Sequence, residues 1–179
     1  MKKWWLPIII ILLIGFTVWN QVYKQDSIES TEEESEVNKE AIPFELMSLN
    51  NEVIQMKDYR GKKVFLNFWA TWCTVCKKEM PTMQQFQEKY KSEVEIVAIN
   101  FTSTEVKEED VYEFIENTGV TFDVLLDREN QVHSAYGILT YPTTYFIDEK
   151  GMIVGKQVGE LTEETMEESL NKMRKKDGI

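Results

Sequence analysis

Cys73 and Cys76 are the only cysteines in the chain, and they share one tetrapeptide, Cys73-Thr74-Val75-Cys76, behind the apolar run Val64-Phe65-Leu66-Asn67-Phe68-Trp69. An intramolecular bridge therefore joins these two or is absent. A strand that delivers Cys-x-x-Cys to the start of a helix is the geometry of a dithiol/disulfide redox centre. Cys73 would lie just before the helix and Cys76 in its first turn. Unpaired N–H groups at a helix start stabilise an anion, so Cys73 is expected to be the more acidic, attacking thiol and Cys76 the resolving one. Trp72 and Trp69 would collar the pair. Other chemistries fit less well. Structural zinc takes about four ligands, against two cysteines and one distant histidine, His133. Haem attachment requires histidine directly after the second cysteine, where Lys77 stands. An inert structural bridge this short would constrain little chain.

Glu79 is the second informative residue. With Met83, Phe86 and Tyr90 it recurs at helical spacing on one face, while Lys77, Lys78, Gln84, Gln85, Glu88 and Lys89 fall opposite. A carboxyl heading an apolar stripe is expected to be desolvated, with a raised pKa, and to exchange protons with the thiols. The alternative is a glutamate that reaches water at the stripe's edge. The third feature is Thr140-Tyr141-Pro142-Thr143. A proline directly before a strand can take a cis bond, which opposite the cysteines would leave the preceding backbone free for a partner's extended chain. The alternative is an ordinary trans proline opening a strand. Trp72, Tyr141 and Pro142 are thus the candidate docking residues. His133, on a short polar helix, reads as a surface residue, and the methionines fall at core spacings. No metal site is expected, and no cofactor other than the Cys73–Cys76 disulfide itself.

The elements that would position these residues alternate from about Ala41 onward, which indicates an α/β domain. Phe44–Met47 and Val53–Met56 read as a leading hairpin, and Arg60-Gly61-Lys62 turns into the strand Val64–Phe68. A helix is expected over Thr74–Tyr90, kinked at Pro81. Glu95–Asn100 is a buried strand, and Glu105–Asn117 a helix with Val111, Phe114 and Ile115 inward, closed by Gly119. Phe122–Leu126 is a strand and Asn130–Tyr136 a short helix ended by Gly137. Thr143–Ile147 and Met152–Val158 form a hairpin. In the last helix Thr162 is the expected N-cap, with Leu161 and Met166 at staple spacing and Met166, Leu170 and Met173 inward. Glu163 and Glu164 in its first turn, and Arg174, Lys175 and Lys176 in its last, complement the dipole.

Ahead of this domain, Lys2 and Lys3 precede a low-polarity stretch from Trp4 to Trp19, with Trp4, Trp5, Trp19 and Tyr23 at its two ends. That length is near the lower limit for crossing a bilayer, and aromatic rings favour its interfaces. Residues 1–24 are therefore read as a cytoplasmic stub and single transmembrane anchor, residues 25–40 as an acidic linker, and residues 41–179 as an extracytoplasmic domain. A cleaved signal is the alternative, although Thr17–Tyr23 makes a poor small-x-small site; a buried core helix is the other. The chain carries a net charge of −11, much of it in Asp26–Glu40. It shows no basic stripe, so nucleic acid is excluded as a partner class.

Taken together these residues resemble the thioredoxin superfamily, and within it the membrane-anchored ResA/TlpA branch. The resemblance covers nearly all of residues 41–176 and is most specific over Asn67-Phe68-Trp69-Ala70-Thr71-Trp72-Cys73-Thr74-Val75-Cys76-Lys77-Lys78-Glu79-Met80-Pro81 and at Pro142-Thr143-Thr144-Tyr145-Phe146. It implies a thioredoxin-like fold with an N-terminal β-hairpin and a central strand–helix insertion at residues 95–127. It also implies Cys73 as nucleophile, Cys76 as resolving thiol, Glu79 as active-site acid and Pro142 as the cis-proline. Asn67 stands where cytoplasmic thioredoxins carry a buried aspartate, which shifts the proton role to Glu79. The implied activity is thiol–disulfide exchange outside the membrane, reducing apocytochrome c before haem attachment; electrons are expected from a membrane thiol carrier, because the outside space offers no glutathione-like reducing pool. A similar Gram-positive relative serves spore-envelope formation instead. The ResA pattern has Glu-Pro between the cysteines, and Thr74-Val75 here bears on the potential of the couple. Anchored copper chaperones of this fold space their cysteines one residue wider and add a histidine. A peroxidase would carry a separate peroxidatic cysteine.

Overall fold

The computed structural model describes residues 12, 13, 15–17, 19 and 37–176. The chain divides into two compact units, Met1–Glu36 and Val37–Ile179. In the first, the described residues are helical, and Leu12, Leu13, Phe16 and Trp19 are exposed. Among the described residues no helix is long and apolar enough to cross a membrane. Most of the expected anchor, and residues 25–36 of the expected linker, lie outside the described residues.

The second unit is built on a seven-stranded sheet: β1 (Glu45–Ser48), β2 (Val53–Gln55), β3 (Lys63–Trp69), β4 (Val94–Asn100), β5 (Asp123–Leu126), β6 (Thr143–Ile147) and β7 (Ile153–Val158). Its order is β2-β1-β5-β4-β3-β6-β7. The central β5, β4 and β3 run parallel, and an antiparallel hairpin closes each edge. Three helices connect strands, α1 (Thr74–Tyr90), α2 (Glu109–Thr118) and α3 (Gln131–Ala135), and a fourth, α4 (Glu163–Lys176), follows β7. The unit begins ahead of Ala41, because Asn38 N–H donates to Ile153 O and Ile153 N–H to Lys39 O, both at 2.8 Å.

Every residue of β3 is buried, because a central parallel strand is covered on both faces. Alternation sends Phe65 and Trp69 to the cluster under α1 and α4, and Val64, Leu66 and Phe68 to a second cluster with Tyr59, Val132 and Tyr136. Asn67 shares the first face with Phe65 and Trp69. Met80, Met83 and Phe86 of α1 and Met166, Leu170 and Met173 of α4 fill that side. Burying each such side chain contributes about 1.5–3 kcal/mol.

Thr162 caps α4 as expected: its Oγ1 accepts Thr165 N–H at 3.2 Å, and Thr165 Oγ1 accepts Thr162 N–H at 2.9 Å. Gly119 closes α2 in the left-handed region, its N–H donating to Ile115 O. Two local readings are amended. Gln84, placed opposite the apolar stripe, is itself buried, since its amide accepts Thr121 N–H and donates to Thr121 Oγ1, tying α1 to the entry of β5. α2 starts at Glu109 and not Glu105, because a 3-10 turn over Thr102–Thr104 comes first and Glu105 is committed elsewhere.

Candidate active site

The site lies where β3 and β4 end and β6 begins. Cys73 N–H donates to Ala70 O at 3.2 Å, turning the chain out of β3 into α1. Cys73 is the N-cap of α1, and its Sγ accepts the N–H of Cys76 at 3.1 Å. The two cysteines are joined as a disulfide with Cα atoms 5.3 Å apart. They are not equivalent. Cys73 is 8 % exposed and Cys76 0 %, so an incoming sulfur meets Cys73 first. The N-cap position also places Cys73 Sγ at the positive end of α1, where a thiolate is favoured.

Glu79 follows Cys76 by one turn on the same helix face and is 1 % exposed, so it does not reach water. Its Oε1 accepts Asn67 Nδ2 at 2.9 Å and its Oε2 accepts Leu161 N–H at 2.7 Å. Burial drives the carboxyl from the ordinary 4.5 to about 7, against the two hydrogen bonds and with help from Glu160. Glu79 is thus poised between its two protonation states near neutrality. Asn67 Nδ2 also donates to Thr144 Oγ1 on β6 at 3.0 Å, while Asn67 Oδ1 is buried without a partner among the described residues. A protonated Glu79 would offer that oxygen a donor once the amide turns over.

Trp72 is 51 % exposed, donates from Nε1 to Thr104 Oγ1 at 3.0 Å and meets the Tyr141 ring edge-on at 5.4 Å. Trp69 is fully buried against Phe114 and shares the core cluster of Cys73 and Cys76, against which Tyr141 also packs. The Tyr141–Pro142 bond is cis. The ladder of β6 opens at Thr143, paired with Phe68 on one side and Val158 on the other, which leaves Tyr141 beyond the last pair on both flanks.

Two further residues shape the site, and the sequence pattern signals neither. Glu105 Oε1 accepts Thr71 N–H at 2.7 Å and Asn100 Nδ2 at 2.8 Å, and its Oε2 accepts the Thr71 hydroxyl. It thereby holds the turn before Cys73 to the end of β4. His133, expected on the surface, is 1 % exposed. The short helix that carries it is capped by Asp127, which bonds its ring and draws it against Phe101 and Phe68. Among the described residues, no group of three or more His, Cys, Asp and Glu side chains is placed to hold a metal ion.

The model of the AhpC/TSA family matches residues 37–156. The chain is 40 % identical over 173 residues to the thioredoxin-like protein YneN of Bacillus subtilis, covering 96 % of this chain and 98 % of that one. It is 38 % identical over 171 residues to the thiol-disulfide oxidoreductase ResA of Bacillus cereus, covering 92 % and 94 %. Among solved structures it is similar to StoA of Bacillus subtilis, with TM-score 0.65 and 32 % identity over 72 % of this chain and 96 % of that one. A protein of Chlorobium tepidum described as a putative thiol:disulfide interchange protein DsbE gives TM-score 0.70 and 29 % identity over 76 % and 96 %. The matched segment holds the cysteine pair, Glu79 and the Pro142 turn, and the chain belongs to the AhpC/TSA family as a thioredoxin-like thiol–disulfide oxidoreductase.

Proposed function

We propose that this oxidoreductase works outside the cytoplasmic membrane as a reductant of protein disulfides, with apocytochrome c as its client and a membrane thiol carrier as its electron donor. The observation that carries the direction of attack is the asymmetry of the pair: Cys73 is the less deeply buried cysteine, and its Sγ receives the Cys76 N–H. In the reduced protein the Cys73 thiolate attacks one sulfur of the client disulfide. A Cys73–client S–S bond forms, the client bond breaks, and the departing client thiolate takes up a proton. Cys76 then gives its proton to ionised Glu79, and its sulfur attacks Cys73 Sγ. The second client sulfur leaves Cys73 as a thiolate and takes up a proton from solvent, so the client departs with two thiols and the protein is left as the Cys73–Cys76 disulfide with Glu79 protonated. The carrier's dithiol returns two electrons, and Glu79 gives up its proton as the Cys76 thiol is restored. Trp72, Tyr141 and Pro142 form the edge on which the client lies.

The anchored location draws on the exposed apolar residues Leu12, Leu13, Phe16 and Trp19 of the N-terminal unit, and the extracytoplasmic side on Lys2 and Lys3 ahead of the apolar stretch. Substituting Cys76→Ser should accumulate client–Cys73 mixed disulfides, and Cys73→Ser should abolish both trapping and exchange. Recovery of cytochrome c precursors from the trap supports the assigned client. Recovery of spore-envelope proteins instead replaces it, and undiminished exchange in Cys73→Ser sinks the mechanism.

A further inference from the structure

Each face of the sheet carries a buried ionisable group against β3, Glu79 through Asn67 and His133 through Phe68. Glu79 lies on the α1 face. On the other, against Phe68 at 5.1 Å, lies His133. The carboxylate of Asp127, just past β5, accepts the backbone N–H groups of Gln131, Val132 and His133 at 2.9, 3.0 and 2.9 Å and sits 2.7 Å from His133 Nδ1. Burial alone would raise its pKa, but the hydrogen bonds from His133 and Gln131 outweigh that and hold it below the ordinary value. An ionised carboxylate only accepts, so Nδ1 carries a proton, and in the Nδ1–H tautomer Nε2 is an acceptor.

That Nε2 is buried with no partner among the described residues, and so is the hydroxyl of Tyr141. The two rings are neighbours with centroids 5.8 Å apart, and both stack on Phe101, at 4.5 Å for His133 and 5.8 Å for Tyr141. One buried group lacks a donor and the adjacent one lacks an acceptor. Buried polar groups are satisfied in nearly all folded proteins. Tyr141 in turn packs against both core clusters and against Trp72 beside the cysteines.

We propose that His133, oriented by Asp127, is a positioning residue for the docking edge: its Nε2 is linked to the Tyr141 hydroxyl through one bridging water, and so fixes the ring that supports Trp72. This rests on the reading of Trp72 and Tyr141 as docking residues. His133 is the one histidine of the chain, so its imidazole nitrogens can be assigned without ambiguity. Nitrogen-15 NMR of the full-length chain at about pH 8, above the ordinary imidazole range, should show the Nδ1–H tautomer. Its Nε2 resonance should carry the shift of an accepted hydrogen bond, and Tyr141→Phe, which deletes one oxygen, should remove that shift. With insulin as the disulfide-bearing client, Tyr141→Phe and His133→Leu should each raise KM about three- to tenfold while kcat changes less than about twofold. The double variant should be no worse than either single one. An Nε2 resonance unmoved by Tyr141→Phe overturns the link while leaving the docking reading intact. A resonance that moves while KM does not overturns both the positioning role and the docking reading beneath it.

Discussion

At the scale of single residues, the chemistry turns on one proton held by Glu79. Its carboxyl titrates at about 7 in the fold against 4.5 ordinarily, so across that window the folded chain keeps a proton the unfolded chain has lost. Folded molecules then bind more protons, and stability falls as pH rises through the window. The full difference corresponds to about 3 kcal/mol at about 1.4 kcal/mol per unit. Glu93, Glu108, Asp127 and Glu167 are shifted the other way, so their contributions are lost on the acid side of this window and do not mask it. Denaturant unfolding of the oxidised protein should therefore show a loss of up to about 3 kcal/mol between about pH 5 and 8. Glu79→Gln, neutral throughout, should flatten that slope relative to the parent chain. In the reduced protein the same substitution should remove an inflection near neutrality from the pH profile of Cys76 reactivity. Parallel slopes for the two proteins would show that Glu79 does not hold the proton. Glu79 was legible from sequence because it shares a helix with the cysteines, where spacing alone fixes the face. His133 was not, because the aromatic rings that bury it come from β3, the end of β4 and the loop before β6.

At the scale of elements, the same distinction separates what could be read from what could not. The bounds of α1 and β6, the Thr162 cap and the Gly119 stop follow from local patterns, and the structure reproduces them. Glu105 looked like the opening of α2 because an acid often begins a helix. Its actual partners, Thr71 and Asn100, belong to the turn after β3 and the end of β4. No one-dimensional period encodes that meeting, since it exists only once β3 and β4 pair in parallel. Glu105→Ala should leave the Thr71 N–H and the Asn100 amide without their acceptor and destabilise the chain by about 1–3 kcal/mol. The turn that presents Cys73 would loosen with them. Alkylation of reduced Cys73 should then change in rate, and Glu105→Gln, which retains one acceptor oxygen, should recover part of the stability. An Ala variant as stable as the parent chain would show that the turn is held by the Ala70–Cys73 bond alone.

For the whole molecule, the acidity of the chain and its apolar N-terminal stretch bear on where the chemistry takes place. A net charge of −11 on the whole chain gives it no overall electrostatic attraction to anionic lipid. Attachment to a membrane would then depend on residues 4–19, where the exposed Leu12, Leu13, Phe16 and Trp19 supply apolar surface. Two outcomes follow for cells producing the full chain. It should sediment with membranes and resist extraction by high salt, because apolar insertion is not screened as surface charge is. After reduction, a membrane-impermeant thiol reagent should label Cys73 in intact cells. A chain starting at Val37, the first residue of the second compact unit, should lose both properties while keeping its unfolding transition. Salt extraction of the full chain would replace insertion with electrostatic association. Labelling of Cys73 only after lysis would move the redox chemistry to the cytoplasmic side, where thiols are kept reduced and an anchored reductant would have little to act on.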